Sequence, residues 1–286
     1  MKKGSVVAVI ALILGCTIGS TVYSAAEVVS WAVLVNPAED PTTPNELDGT
    51  LNPFSSAEVR FALNMGLDRV HYLSLYTGTG KADLMFTPVP LSRCCSGFYQ
   101  AEAVGLDQDG DTNTSYSLIE SAMLALGAEK NAAGVWSYNG EEVEITLVKR
   151  TDTTDGRAAV TEEIRDLLET AGFKVALKEV SKSGVNSLVY GSDPVNGGWH
   201  LYVEGWIGKA DTASLDLIAQ YYASSLYLPG WGKKGYYQYS NTTISQALQD
   251  VILGVPANGY ERCDTLDLAV KEALMESVRI FLAIFE

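Results

Sequence analysis

Histidine and positive charge are both scarce in this chain. His71 and His200 are the only histidines among 286 residues, and they stand in unrelated segments. That leaves a conventional nucleophile–base triad without a base in place. The four cysteines, Cys16, Cys94, Cys95 and Cys263, include no C-x-x-C pair, so no zinc-ligand spacing is present. Twenty Lys plus Arg face 35 Asp plus Glu, a net charge of −15. This excludes nucleic acid, or an anionic membrane face, held by bulk electrostatics. The acidity serves solubility and needs no cationic ligand to explain it. No G-x-S-x-G, Walker or H-E-x-x-H signature occurs, and abundant carboxylates do not by themselves place a pair across a substrate. These absences point to a protein that is not an enzyme and carries no cofactor.

What is present is a globular composition, 47% hydrophobic and 9% aromatic, on a chain long enough to bury a sizeable core. The N-terminus reads as an export segment over residues 1–26. Lys2 and Lys3 precede Val6 to Val22, a run without charge that is at the short limit for a spanning helix. A cleaved signal and a retained signal-anchor both fit. Ile13-Leu14-Gly15-Cys16 has the form of a lipoprotein box that would leave Cys16 lipidated, while Ser24, Ala25 and Ala26 offer an ordinary cleavage site. Outside the cytosol, a disulfide from Cys263 to Cys94 or Cys95 would close a long loop, with Cys95–Cys263 the expected pairing. Asp107, Asp109 and Asp111 alternate as in a calcium loop. Thr112 stands where that loop needs Gly, and Leu118 where it needs an acid, so a solvated loop is the competing reading. Asn113-Thr114-Ser115 and Asn241-Thr242-Thr243 are glycosylation sequons.

The periodicities describe an α/β chain. Glu27 to Val35 is a strand-like run, and residues 36–53 a Pro/Asp/Asn-rich connector. Ser55 and Glu58 form a capping box for a helix whose face is Val59, Ala62, Leu63, Leu67 and Val70. Thr79 to Asp111 reads as a covering loop, and Tyr116 to Leu126 as a helix stopped at Gly127. Trp136 to Tyr138, Asn139-Gly140, then Val143, Ile145 and Leu147 make a hairpin signal with a type I′ turn. A helix over Arg157–Ala171, ended by Gly172, leads to a strand from Phe173 that should lie parallel to the one before. A short helix over Val185–Tyr190 and an aromatic strand over Trp199–Val203 follow. Further helices are expected near Ser214–Ser224, Thr243–Leu253 and Tyr260–Leu282.

In their order these pieces resemble the family 5 solute-binding proteins, the peptide- and nickel-binding receptors of ABC importers. Asn52-Pro53-Phe54, Val59-Arg60, Ala62-Leu63 and Asp68-Arg69 are similar to that family's "PF-x-d-x-x-VR-x-Al-x-x-x-iDR" helix. Trp136 with Asn139-Gly140, Ile164 to Phe173, Gly205-Trp206 and Tyr239-x-Asn241 with Ile244 resemble its later motifs; Glu276 to Arg279 is similar to a late helix. The resemblance implies a periplasmic-binding-protein-like fold (type II, cluster C), a mixed sheet flanked by helices. It divides the chain into the export segment, a strand and connector over 27–54, and a solute-binding lobe over 55–286. That lobe is incomplete relative to the family, whose first lobe precedes the Pro-Phe helix.

The function implied is capture of a peptide, sugar or nickel complex for an ABC permease, at the cell surface or in the periplasm, without chemistry. A surface-anchored structural or assembly subunit is the alternative. By resemblance Trp206 and Asp211 are ligand contacts, followed by Tyr237, Tyr239 and Trp231 from an aromatic loop. In an ungapped register Lys209 takes the place of the Asp that pairs with a peptide's α-amino group, and Asp211 falls two residues later. With Lys209 there, a sugar or acidic ligand is favoured. Asn52, Arg60 and Arg69 read as structural, a helix start and ion pairs that fix the lobe.

Overall fold

The computed structural model describes residues 27–86, 97–196, 198–209 and 233–285. The export segment with Cys16, the cysteines Cys94 and Cys95, the residues Asp211 and Trp231, and the helix expected at 214–224 lie outside them.

The sheet is built around the first strand. β1 (Glu27–Val35) is apolar almost throughout, and Trp31 to Val35 are buried on both faces, as a central strand requires. Its neighbours come from far along the chain: β10 (Leu201–Lys209) on one side and β11 (Arg279–Phe285) on the other, both antiparallel. β4 (Ala82–Leu84) extends the sheet beyond β11. β8 (Glu144–Arg150) lies parallel to β10, and β9 (Lys174–Val180) parallel to β8. The order is β4-β11-β1-β10-β8-β9, a mixed sheet. Two small sheets stand apart: β2 (Glu46–Leu47) with β3 (Thr50–Leu51), and β5 (Glu129–Lys130), β6 (Trp136–Tyr138) and β7 (Glu141–Glu142).

Helices cover both faces. On one, Trp31, Val33, Leu201, Val203, Ile280 and Leu282 pack against α1 (Ala57–Gly66), α4 (Thr112–Ala125) and α5 (Arg157–Thr170). On the other, Ala32 and Phe281 meet α3 (Gly97–Ala103), α7 (Thr242–Ile252) and α8 (Gly259–Glu276). Leu34, Val148 and Tyr202 there meet α6 (Lys182–Leu188) and its flanking residues. No helix among the described residues is long and apolar enough to cross a membrane.

Several sequence expectations shift. Ser56, not Ser55, caps α1: its hydroxyl accepts from the Val59 amide at 3.3 Å, while Ser55 belongs to a 3-10 turn over Pro53–Ser55. The helix stops at Gly66 instead of running through Val70, which is 46% exposed. Asp68 then starts α2 (Arg69–Ser74) by accepting from His71 N–H at 2.8 Å, and this break aims Arg69 inward. The supposed covering loop of 79–111 contains β4 and α3. Helix α4 begins at Thr112, four residues before the expected start, capped by Asp111, which accepts from Thr114 N–H at 3.0 Å. Asn139 and Gly140 have the positive φ of a type I′ turn, +53° and +86°, yet only β7 closes that hairpin, and β8 crosses to the main sheet.

The C-terminal helix is the largest correction. It ends at Glu276, Ser277 turns the chain at φ +49°, and Arg-Ile-Phe-Leu-Ala-Ile-Phe becomes β11. A short apolar run buried on both faces has no periodicity that separates strand from helix.

Candidate functional site

The residues of the Pro-Phe motif hold the frame. Asn52 is fully buried. Its amide nitrogen donates to the Asn36 carbonyl at 3.0 Å and the Ala38 carbonyl at 2.8 Å, and its oxygen accepts from Phe54 N–H at 3.1 Å. Asn36 in turn donates to the carbonyls of Pro194 and Trp199 at 2.9 and 3.0 Å. These two amides tie the ends of β1 and the 3-10 turn to the approach to β10. Arg60 pairs with Glu276 at 2.7 Å and donates to the carbonyls of Phe54 and Ser55.

Arg69 departs from the ion-pair expectation. It is fully buried, and no carboxylate among the described residues pairs with it. A bulge at Trp31/Ala32 leaves Leu282 as an extra residue on β11, and Arg69 Nε donates to the adjacent Phe281 carbonyl at 2.9 Å. Its other nitrogens reach Asn64 and Leu67, and its guanidinium lies 4.1 Å from the Phe86 ring centre. Burial pushes it down to about 9, so it stays charged at neutral pH.

Alternation along β10 puts Tyr202, Glu204 and Trp206 on the face opposite the α1–α4–α5 layer. Glu204 is fully buried, and so is Arg279 on β11. The two strands are separated by β1, about 10 Å across two spacings. Long side chains span that gap where Ala32, the cross-strand neighbour of Glu204, leaves room. Arg279 Nε lies 2.5 Å from Glu204 Oε1, and Tyr190 donates its hydroxyl to Glu204 Oε2 at 2.6 Å. Burial, then the Glu204 charge, raises the Tyr190 phenol well above its ordinary value, so it stays a donor. The Arg279 guanidinium lies 6.0 Å from the ring centre of Trp206, which packs at the edge of the α3–α7–α8 cluster. This partly buried tryptophan beside a buried ion pair is the part of the candidate site that the described residues bring together.

On the other face, Arg157 opens α5 and lies flat on Gly205. A Cβ there would sit 2.4 Å from Arg157 Nη1 and 2.7 Å from its Cζ, so a larger residue must displace the guanidinium that Asp155 holds. Asp155 accepts from Arg157 Nε at 2.9 Å. Burial works against its ionisation, but bonds from Arg157 and Thr153 hold its carboxyl below the usual range. Gly205→Ala should cost about 1–3 kcal/mol through overpacking, read as a shift of the urea midpoint at constant slope. An unchanged midpoint would refute the contact.

His200 sits where the chain enters β10. Its Nδ1 accepts from Thr146 N–H at 2.9 Å, which places the ring proton on Nε2. Burial pushes its pKa from 6.5 down to about 4. The unfolded chain therefore takes up the proton first, so stability is full above about pH 6.5 and falls as pH drops towards 4. That fall should reach roughly 3 kcal/mol and should be absent from His200→Asn, whose amide oxygen can accept from Thr146 instead. Equal pH slopes for the two proteins would count against it.

The other sequence candidates are dispersed. The Lys209 backbone ends β10 opposite Glu27. Tyr237 packs beside the α6 cluster, its N–H donating to Asp193 at 3.1 Å. Tyr239 is buried there and donates to Glu276 at 2.7 Å. Asp111 spends its carboxylate on the α4 cap. The acidic loop is clamped to the end of α1 by Asp111 N–H to the Met65 carbonyl and to the start of α2 by Arg69 N–H to the Gln108 carbonyl. Among the described residues no cluster of three or more His, Cys, Asp or Glu is arranged to hold a metal ion. Asn241 is no free sequon: it caps α7 and donates to Glu272 and Glu276. Cys263 on α8 is disulfide-bonded, its partner lying outside the described residues. A cleft of about 210 Å³ beside Tyr138, Glu141 and Glu142 is lined by none of the candidates.

Glu204, Arg279 and Tyr190 were missed from sequence. The available signal was a single acid within Leu201–Trp206 and a single base within Val278–Phe285, two lone opposite charges in otherwise apolar strands.

Sheet order and helix layers together define the class: the fold is periplasmic-binding-protein-like, a mixed sheet flanked by helices. Three solved structures share it. NikZ of Campylobacter jejuni, in complex with Ni(L-His), superposes with a TM-score of 0.63 at 15% identity, covering 90% of this chain and 45% of its own. A peptide-binding protein of a peptide ABC transporter gives 0.62 at 17%, covering 91% of this chain and 100% of its own. The periplasmic oligopeptide-binding protein of Thermotoga maritima, with mannohexaose bound, gives 0.63 at 14%, covering 91% and 46%. The chain thus spans less than half the length of the first and third. Neither a family model nor a curated protein matches the sequence.

Proposed function

We propose that this chain captures a small solute outside the cytoplasm as the binding component of an ABC importer, and does no chemistry on it. The observation that carries this reading is the likeness of nine-tenths of the chain to solute-binding proteins. The solute is a peptide, a sugar or a nickel complex, and the membrane partner an ABC permease. Trp206 is the leading contact, with Lys209, Asp211, Trp231, Tyr237 and Tyr239 as the further candidates. The N-terminal segment exports the chain, by cleavage, by lipidation at Cys16 or as a retained anchor.

A thermal-shift panel of short peptides, oligosaccharides and Ni(L-His) tests this. A solute at a hundred times its dissociation constant should stabilise the protein by about 2.7 kcal/mol, and Trp206→Ala should abolish that shift while the free protein stays folded. A flat panel would overturn the proposal. Flatness together with self-association of the purified chain would favour a structural or assembly subunit.

A further inference from the structure

No further inference is drawn: the strongest candidate, the uncharged connection between α7 and α8 that exposes Leu253, Val255 and Tyr260, is an apolar surface patch with nothing in the structure to show what covers it.

Discussion

Replacing Glu204 with leucine, or Arg279 with methionine, should each lower the unfolding free energy by about 3–5 kcal/mol, because each leaves a buried charge without its counter-ion. The double variant should lose far less than the sum. Once both charges are gone, the remaining cost is an unmet Tyr190 hydroxyl, about 1–3 kcal/mol. The difference is a coupling energy of several kcal/mol, which urea denaturation of the four proteins measures directly. Glu204→Gln separates the contributions: it keeps an acceptor for Tyr190, 2.6 Å away in the native protein, but removes the charge facing Arg279. Additive single effects would mean that the two side chains act independently and would refute the pair as one unit.

A single-atom exchange at Asn52 should have an effect of similar size. Asn52→Asp preserves shape but puts a carboxylate oxygen where the amide nitrogen donates to the Asn36 and Ala38 carbonyls, 3.0 and 2.8 Å away. The new group is fully enclosed and faces two acceptors, so about 3–5 kcal/mol should be lost at pH 7. Burial and the carbonyls raise its pKa above the unfolded value. The penalty is therefore complete above the folded pKa and shrinks as pH falls through it, when the protonated acid can donate again. Unfolding at pH 7 and pH 5 reads this out. A penalty equal at both would show that the two carbonyls do not require a donor.

Much of the frame was legible in the residues. Asn139-Gly140 announced its turn, Gly172 ended α5 at φ +100°, and the strand after it lies parallel to β8 as the strand–helix–strand spacing implied. The Pro-Phe helix was placed correctly, although its cap was one residue off and its end four residues too late. The errors share a cause. Val70 continues the helical periodicity of α1, but the chain must break so that Arg69 can meet the carbonyl beside the bulge. No local pattern encodes a partner more than two hundred residues away. The first half of β11, up to Leu282, was read as helix because Ile280 to Phe285 is apolar at every position, which burial on both faces permits for either element. Of the contact candidates read from sequence, Trp206 is the one that stands beside the buried Glu204–Arg279 pair. Its supporting pair depends on two strands being separated by one, and that follows from topology.

β1 takes both of its neighbours from late in the chain, Leu201 onward and Arg279 onward. The centre of this sheet therefore cannot close until synthesis has passed β11, and the high contact order implies slow closure, on a scale of milliseconds to seconds. Until then Val28 to Val35 remains an open, β-prone hydrophobic edge. Residues near Phe281 and Ile284 should consequently control folding yield more strongly than they control the stability of the finished protein.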